Sequence, residues 1–227
     1  STVSATVAEY GNYLKVSSLL YGTSIDRMAQ EKEELIAQNA SETLDQLGRD
    51  ELFTGATVQF ANGRGSLAAI IAGDNMNTTE TRKAVRTLKK NNALAYDDGY
   101  FMGKVGPDTS YDIMGDSTWV NAHTYKDGGE LYKGELGKIH RVRFIECSSN
   151  QKSEASTVTV FSNFIHGKEA IGEVDLDGGN LQLVIKQSGK QDTSNPLNMF
   201  LTVGWKAIDA VKTLNANWIV NVKSAAS

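Results

Sequence analysis

The chain opens on a two-residue period. In residues 2–10 and 13–16, Val, Thr, Tyr and Leu alternate with small or polar residues, which predicts a pair of strands. The period then changes. Thr23-Ser24-Ile25-Asp26 places a carboxylate three residues after a hydroxyl, an N-cap signature. From residue 25 to 53 there is no proline, and Gly48 is the one interruption. Ile25, Met28, Ile36, Ala40, Leu44 and Leu47 recur at spacings near multiples of 3.6, while Glu31, Glu33, Glu34, Glu42 and Asp45 fall largely off that stripe. This predicts one amphipathic helix of about 28 residues, about 42 Å long. The stripe is not a sustained heptad, so a coiled coil is the lesser reading.

Shorter elements follow. Residues 57–60 read as a strand, Asn62-Gly63-Arg64-Gly65 as a turn and residues 67–72 as a short apolar segment. Asn77-Thr78-Thr79-Glu80 opens a second helix that ends near Asn91, and residues 100–105 read as a strand. Pro107 occupies a favourable first-turn position of a short helix. Residues 128–137 read as a glycine-rich loop, and residues 141–147 and 157–164 as strands. Residues 173–179 predict a hairpin turn joining strands 170–176 and 181–186, and residues 188–195 a polar loop. Residues 198–213 and 218–223 close the chain with β alternation. Strands, one long helix, mixed short elements and strands again make an α+β protein, not an alternating βαβ series.

Composition narrows the function classes. The 227 residues carry a formal charge of -4, whereas a free-standing nucleic-acid binder is usually basic. The one cysteine, Cys147, cannot form an intramolecular disulfide, which suits a reducing compartment, and at the end of an apolar strand it reads as a small packed hydrophobe. No apolar run approaches the roughly 20 residues a bilayer requires. The first residues lack a signal-peptide pattern and begin in β alternation, as a proteolytically matured or incomplete sequence would.

The chemistry of a catalytic site is not visible. His123, His140 and His166 stand without a second ligand at metal-binding spacing. Asp175-Leu176-Asp177-Gly178-Gly179 lacks the later oxygen positions of a calcium loop and reads as a tight turn. Asn62-Gly63-Arg64-Gly65 lacks the lysine and spacing of a phosphate loop, and no GxSxG, HExxH or CxxC occurs. No cofactor site is expected. The basic segment from Arg82, RKAVRTLKKNNA, has a structural explanation: Glu80 in the first turn and Lys89 and Lys90 in the last suit the helix dipole. Ala84, Val85 and Leu88 supply a buried stripe, Arg82, Arg86 and Lys90 the next face, and Asn91 and Asn92 the C-cap. A nucleic-acid grip would want a wider positive field.

The order of motifs after this helix is distinctive. It runs Asn91-Asn92, Gly99-Tyr100, Pro107-Asp108, Tyr111-Asp112, Trp119-Val120-Asn121-Ala122-His123 and the LYKGELG run at residues 131–137. Then come VRFIE at residues 142–146, GKEAIGEVDLDGGNLQLVIKQSG from Gly167, Asn195-Pro196-Leu197-Asn198, TVGWK at 202–206 and LNANW at 214–218. With AEYGNYLKVSSLL at residues 8–20 ahead of Ser24-Ile25-Asp26, this pattern resembles the N4-like branch of tailed-phage major capsid proteins, which have the HK97-like fold. The resemblance covers nearly the whole chain.

It implies an HK97-like α+β capsid fold with a spine helix over residues 25–53. Residues 1–12 would be the returning strand of an extended loop, the first half of which, with the N-terminal arm, precedes residue 1 in family members. Residues 13–66 would form the peripheral domain, 67–195 the axial domain, 196–213 a peripheral strand packed along the spine, and 214–227 a C-terminal strand. The implied function is a non-enzymatic shell of hexamers and pentamers, built by head-to-tail interfaces, enclosing double-stranded DNA without sequence readout. Portal, scaffold and decoration proteins would be its further partners, with assembly in the host cytoplasm and residence in the virion capsid. Arg82, Arg86, Lys89, Lys90, Glu31 and Glu34 are the candidate intersubunit or lumen contacts. The alternatives are an encapsulin-type nanocompartment shell, a DNA-binding module on helix 78–91, and an enzyme without a recognisable motif.

Overall fold

The structure is a computed structural model that describes residues 2–23, 28–124, 135–149, 152–154, 158–174, 179–186 and 195–227. In chain order the elements are β1 (Ala8–Ser17), α1 (Ser18–Thr23), α2 (Met28–Gly55), β2 (Thr57–Phe60), α3 (Thr78–Lys90), β3 (Phe101–Val105), α4 (Pro107–Gly115) and α5 (Ser117–Thr124). There follow β4 (Glu135–Ile139), β5 (Val142–Glu146), β6 (Lys152–Glu154), β7 (Thr159–His166), β8 (Ile171–Glu173), β9 (Gln182–Lys186), β10 (Phe200–Asp209), β11 (Val211–Thr213) and β12 (Ile219–Ser224). They gather into two compact units, Ser1–Gly48 with Glu173–Lys212, and Arg49–Gly172 with Thr213–Ser227.

The first unit is a three-stranded antiparallel sheet, in the order β1-β10-β9, with α2 laid on one face. Ile36 and Ala40, one helical turn apart, are buried against Val16, Leu201, Val203, Trp205 and Ala207 of β1 and β10. The side-chain oxygen of Asn39 accepts hydrogen bonds from Trp205 Nε1 at 3.1 Å and from Asn12 Nδ2 at 3.0 Å. One polar group thus fixes helix, inner strand and outer strand together.

The second unit is built on a seven-stranded mixed sheet, β2-β12-β7-β3-β5-β4, with β6 beside β7. β12 is buried at all six positions, as a strand covered on both faces must be. α3 lies on one face, where Ala84, Val85 and Leu88 meet Phe101, Phe144, Val220 and Val222. Trp119 of α5 stands edge-on to Phe144, with ring centroids 5.9 Å apart. Gly103 of β3 admits no side chain, because a Cβ there would lie 2.8 Å from both Phe144 and Val142. On the other face Leu52, near the end of α2, packs on Phe164, Ala170 and Ile219.

The second helix is read correctly from the sequence at both ends. Asn77 caps it by accepting from the Glu80 amide at 3.0 Å, and Asn91 is its C-cap, followed by Asn92 in the left-handed conformation. Four expectations differ from the structure. Where a strand pair was expected, residues 8–17 form one strand, β1, and residues 2–7 belong to no ladder among the described residues. The described strands expected to form the hairpin pair elsewhere: β8 with β11, and β9 antiparallel with β10, Lys186 facing Thr202 and Gln182 facing Lys206. The glycine-rich stretch 128–137 is in part strand, since β4 begins at Glu135; its earlier residues lie outside those described, as do Ser24-Ile25-Asp26, the Asp175–Gly178 turn and most of the 188–195 loop. Cys147 is partly buried, its Sγ 3.3 Å from Ser149 Oγ, and not among the fully buried core residues.

Asp74 and Lys223 are buried charged groups of the second unit. Asp74 accepts from Arg64 Nε at 2.7 Å, from Asn62 Nδ2 at 3.1 Å and from the Ile71 amide at 3.0 Å. Arg64 and these donors hold its carboxyl below the ordinary 3.8 despite burial. Lys223 of β12 is 5 % exposed, donates to Ser162 Oγ at 2.6 Å and sits 4.1 Å from the centre of the Phe53 ring. Burial depresses its ammonium to about 8.

The two groups titrate with opposite consequences. Lys223 binds its proton less tightly in the folded chain, so stability rises as pH climbs from about 8 toward 10.5. The wild type should gain about 1–3 kcal/mol over that range relative to Lys223→Met, measured by urea unfolding at each pH. Asp74 contributes fully above pH 3.8 and less as pH falls through its lowered value. Asp74→Asn should cost about 2 kcal/mol at neutral pH, and the difference from wild type should shrink in acid.

Candidate functional site

The sequence offered no catalytic constellation, so the functional surfaces must be sought in what the two units leave exposed and unpartnered. α3 presents one such face. Its apolar side is spent on the core, and Arg82, Arg86, Lys89 and Lys90, at i, i+4, i+7 and i+8, come out together on the exposed side. With His140 and Arg141 they line a cleft of about 580 Å³ whose apolar floor includes Val85. None of these four basic residues makes an ion pair among the described residues, whereas Lys83 on the neighbouring face is held by Glu80 at 2.6 Å. Glu80 is itself buried, accepting also from Gln59 Nε2 at 3.0 Å and the Asn62 amide at 3.2 Å, so it anchors the helix start as well as answering its dipole.

Arg141 was not singled out in the sequence, and His140 was weighed there only as a lone histidine without a metal-binding partner. They are the two loop residues of the β4–β5 hairpin, closed by the Ile139–Val142 pair. The signal was present as two alternating stretches separated by two residues, but His-Arg is not a turn-forming dipeptide, and Arg141 was read into the strand. Burial, then the charge of Arg82, lowers the proton affinity of His140. Its Nε2 is buried without a hydrogen-bond partner. His166 lies apart, buried in β7, with Nδ1 3.2 Å from the Tyr96 hydroxyl and burial again favouring its neutral form. The His123 side chain lies outside the described residues.

Glu31 and Glu34, the acidic candidates, are exposed on α2 about one turn apart in the first unit. Among the described residues the same unit has an open sheet. β1 and β9 are its edges, and every residue of β9 is exposed, with Leu183, Val184 and Ile185 between 41% and 50% accessible. Leu19, Leu20, Leu197 and Met199 add exposed apolar area near the Ser18–Met199 backbone hydrogen bond. An apolar edge strand left open is a template for pairing with another chain. Among the described residues no group of three or more His, Cys, Asp or Glu side chains is placed to hold a metal, and no helix is long and apolar enough to cross a membrane.

No protein-family profile matches the chain, and no curated protein sequence matches it. Solved structures do. The capsid of Ralstonia phage GP4 superposes with a TM-score of 0.74 at 10% identity, over 98% of this chain and 74% of the other. The capsid asymmetric unit of cyanophage Pam1 gives 0.70 at 17% identity, over 98% and 75%. An encapsulin complex from Synechococcus elongatus PCC 7942 gives 0.61 at 6% identity, over 97% and 74%.

If the open edge drives self-association, Leu183→Lys with Ile185→Lys should weaken it at least about tenfold in sedimentation velocity, with an unchanged far-UV circular dichroism spectrum. The α+β fold expected from the sequence is present, and it is the HK97-like fold of phage capsid structures.

Proposed function

We propose that this chain is a major capsid protein, a structural subunit that self-assembles into an icosahedral shell around double-stranded DNA. The observation that carries the reading is the match of the fold, over 98% of the chain, to phage capsid structures. The ordered motifs from Asn91-Asn92 to LNANW support it independently and favour the N4-like branch. In this reading α2, with β1 and β10, serves as the spine of the peripheral domain, and the seven-stranded sheet with α3 serves as the axial domain. The open β1 and β9 edges and the charged faces of α2 and α3 serve neighbour contacts, with Glu31, Glu34, Arg82, Arg86, Lys89 and Lys90 among them. Charge at such contacts sets register and excludes wrong partners more than it adds affinity. The shell's work is mechanical and needs no enzymatic group, and its place is the virion, after assembly in the host cytoplasm with portal, scaffold and decoration proteins.

An encapsulin shares the fold, so the shell and its content are tested separately. The complete gene product, expressed alone and with its genomic neighbours, should form closed particles visible by negative-stain microscopy. Particles filled with nuclease-protected DNA support the capsid reading. Closed particles filled with an enzyme cargo replace it with a nanocompartment, and a product that stays monomeric at high concentration refutes a shell of either kind.

A further inference from the structure

The β4–β5 hairpin is built against its own turn chemistry. A two-residue loop that matches strand twist needs positive φ at both central residues, which is why Asn-Gly is favoured there. Here the positions are His140, at φ 48°, and Arg141, at φ 68°. Both bulky side chains hold the left-handed region at a cost in backbone strain, and such strain persists where the side chains have another task. The loop delivers Arg141 to the cleft that Arg82, Arg86, Lys89 and Lys90 line from α3. Two elements distant in sequence thus converge five permanent cations on one concavity, with no carboxylate among the described residues that line it, in a chain whose formal charge is -4.

The occupant follows from charge and shape. Three of the five cations are arginines, whose planar forks fit phosphate oxygens two at a time. A single carboxylate brings one charge, whereas a phosphoryl group brings up to about two and three acceptor oxygens. A cleft of about 580 Å³ lies within the size range of small-ligand sites. We propose that the cleft between α3 and the β4–β5 turn is a binding site for a phosphate-bearing oligoanion, held by Arg82, Arg86 and Arg141 with Lys89 and Lys90 at its rim. The inference goes beyond the shell reading and assigns to a ligand within one chain the same basic side chains that the shell reading places among neighbour contacts.

Calorimetric titration of the full chain with tripolyphosphate, a short DNA duplex and poly-glutamate tests it. Tripolyphosphate should bind at one site per chain, and Arg82→Ala and Arg86→Ala, both at exposed helix positions, should each weaken it at least about tenfold. The double variant His140→Asn with Arg141→Gly installs the favoured turn. It should raise the thermal unfolding midpoint while weakening tripolyphosphate binding, a combination that a merely structural turn would not give. Binding of tripolyphosphate without the duplex assigns the site to a free small anion; tighter binding of the duplex, competed by tripolyphosphate, assigns it to nucleic-acid backbone. Absence of tripolyphosphate binding, affinity unchanged in the arginine variants, or tighter binding of poly-glutamate, which would mark an acidic protein segment as the partner, overturns the proposal.

Discussion

The second unit depends on β12 entering the interior of its sheet, between β2 and β7. β12 pairs parallel with β2, which lies over 150 residues earlier in the numbering, and antiparallel with β7. Neither partner can be completed locally, so the entropy of closing a long loop must be met before the buried strand returns anything. Its apolar positions meet that cost: Val220 and Val222 face the α3 core, while Ile219 joins Leu52 and Phe164 on the other side. The same strand carries Lys223 into a buried setting with a hydroxyl and an aromatic ring in place of a carboxylate. A strand that must be covered on both faces has little freedom to place a lysine elsewhere, and the depressed ammonium is the energetic trace of that constraint.

The local rules were legible where one element decides its own structure. α3 combines an Asn cap, a three-residue apolar stripe, an acidic first turn and a basic last turn, and each of these points to the same helix. α2 was legible because Ile36 and Ala40 keep the helical period and both end in the core. The failures lie where pairing is non-local. Asp-Gly-Gly beside two β-rich stretches is a strong hairpin signal, yet β9 finds its partner in β10, because Leu201, Val203, Trp205 and Ala207 form the unit's buried layer and draw strands to themselves. A two-residue period says which residues share a face; it does not say which strand lies alongside.

The candidate site divides the same way. Four of its cations were visible because helical spacing aligns them, and Arg141 was hidden because its turn uses residues that turn rules disfavour. Local inconsistency in a sequence is expected at functional or strained positions. The comparison structures make a related point. Identities of 6% to 17% accompany superposition over nearly all of this chain, so what is shared is the fold and not the residues themselves.

An open apolar edge is ordinarily a liability, and proteins blunt such edges with charge, proline or a covering element. β9 has only Lys186 at its end and Gln182 at its start, with Leu, Val and Ile between. β1 carries exposed Tyr13 beside Lys15, the ammonium of which sits 5.0 Å from the Phe200 ring and 5.7 Å from that of Tyr13. In a protein that acts alone this arrangement would be selected against, since each encounter between copies risks strand pairing in any register. In a subunit whose encounters are its function, the same edges supply directional hydrogen bonds, and the charged helix faces narrow the choice of register. Among the described residues the first unit thus leaves the apolar strand β9 exposed at its edge, whereas the second unit buries β12, an inner strand, at every position.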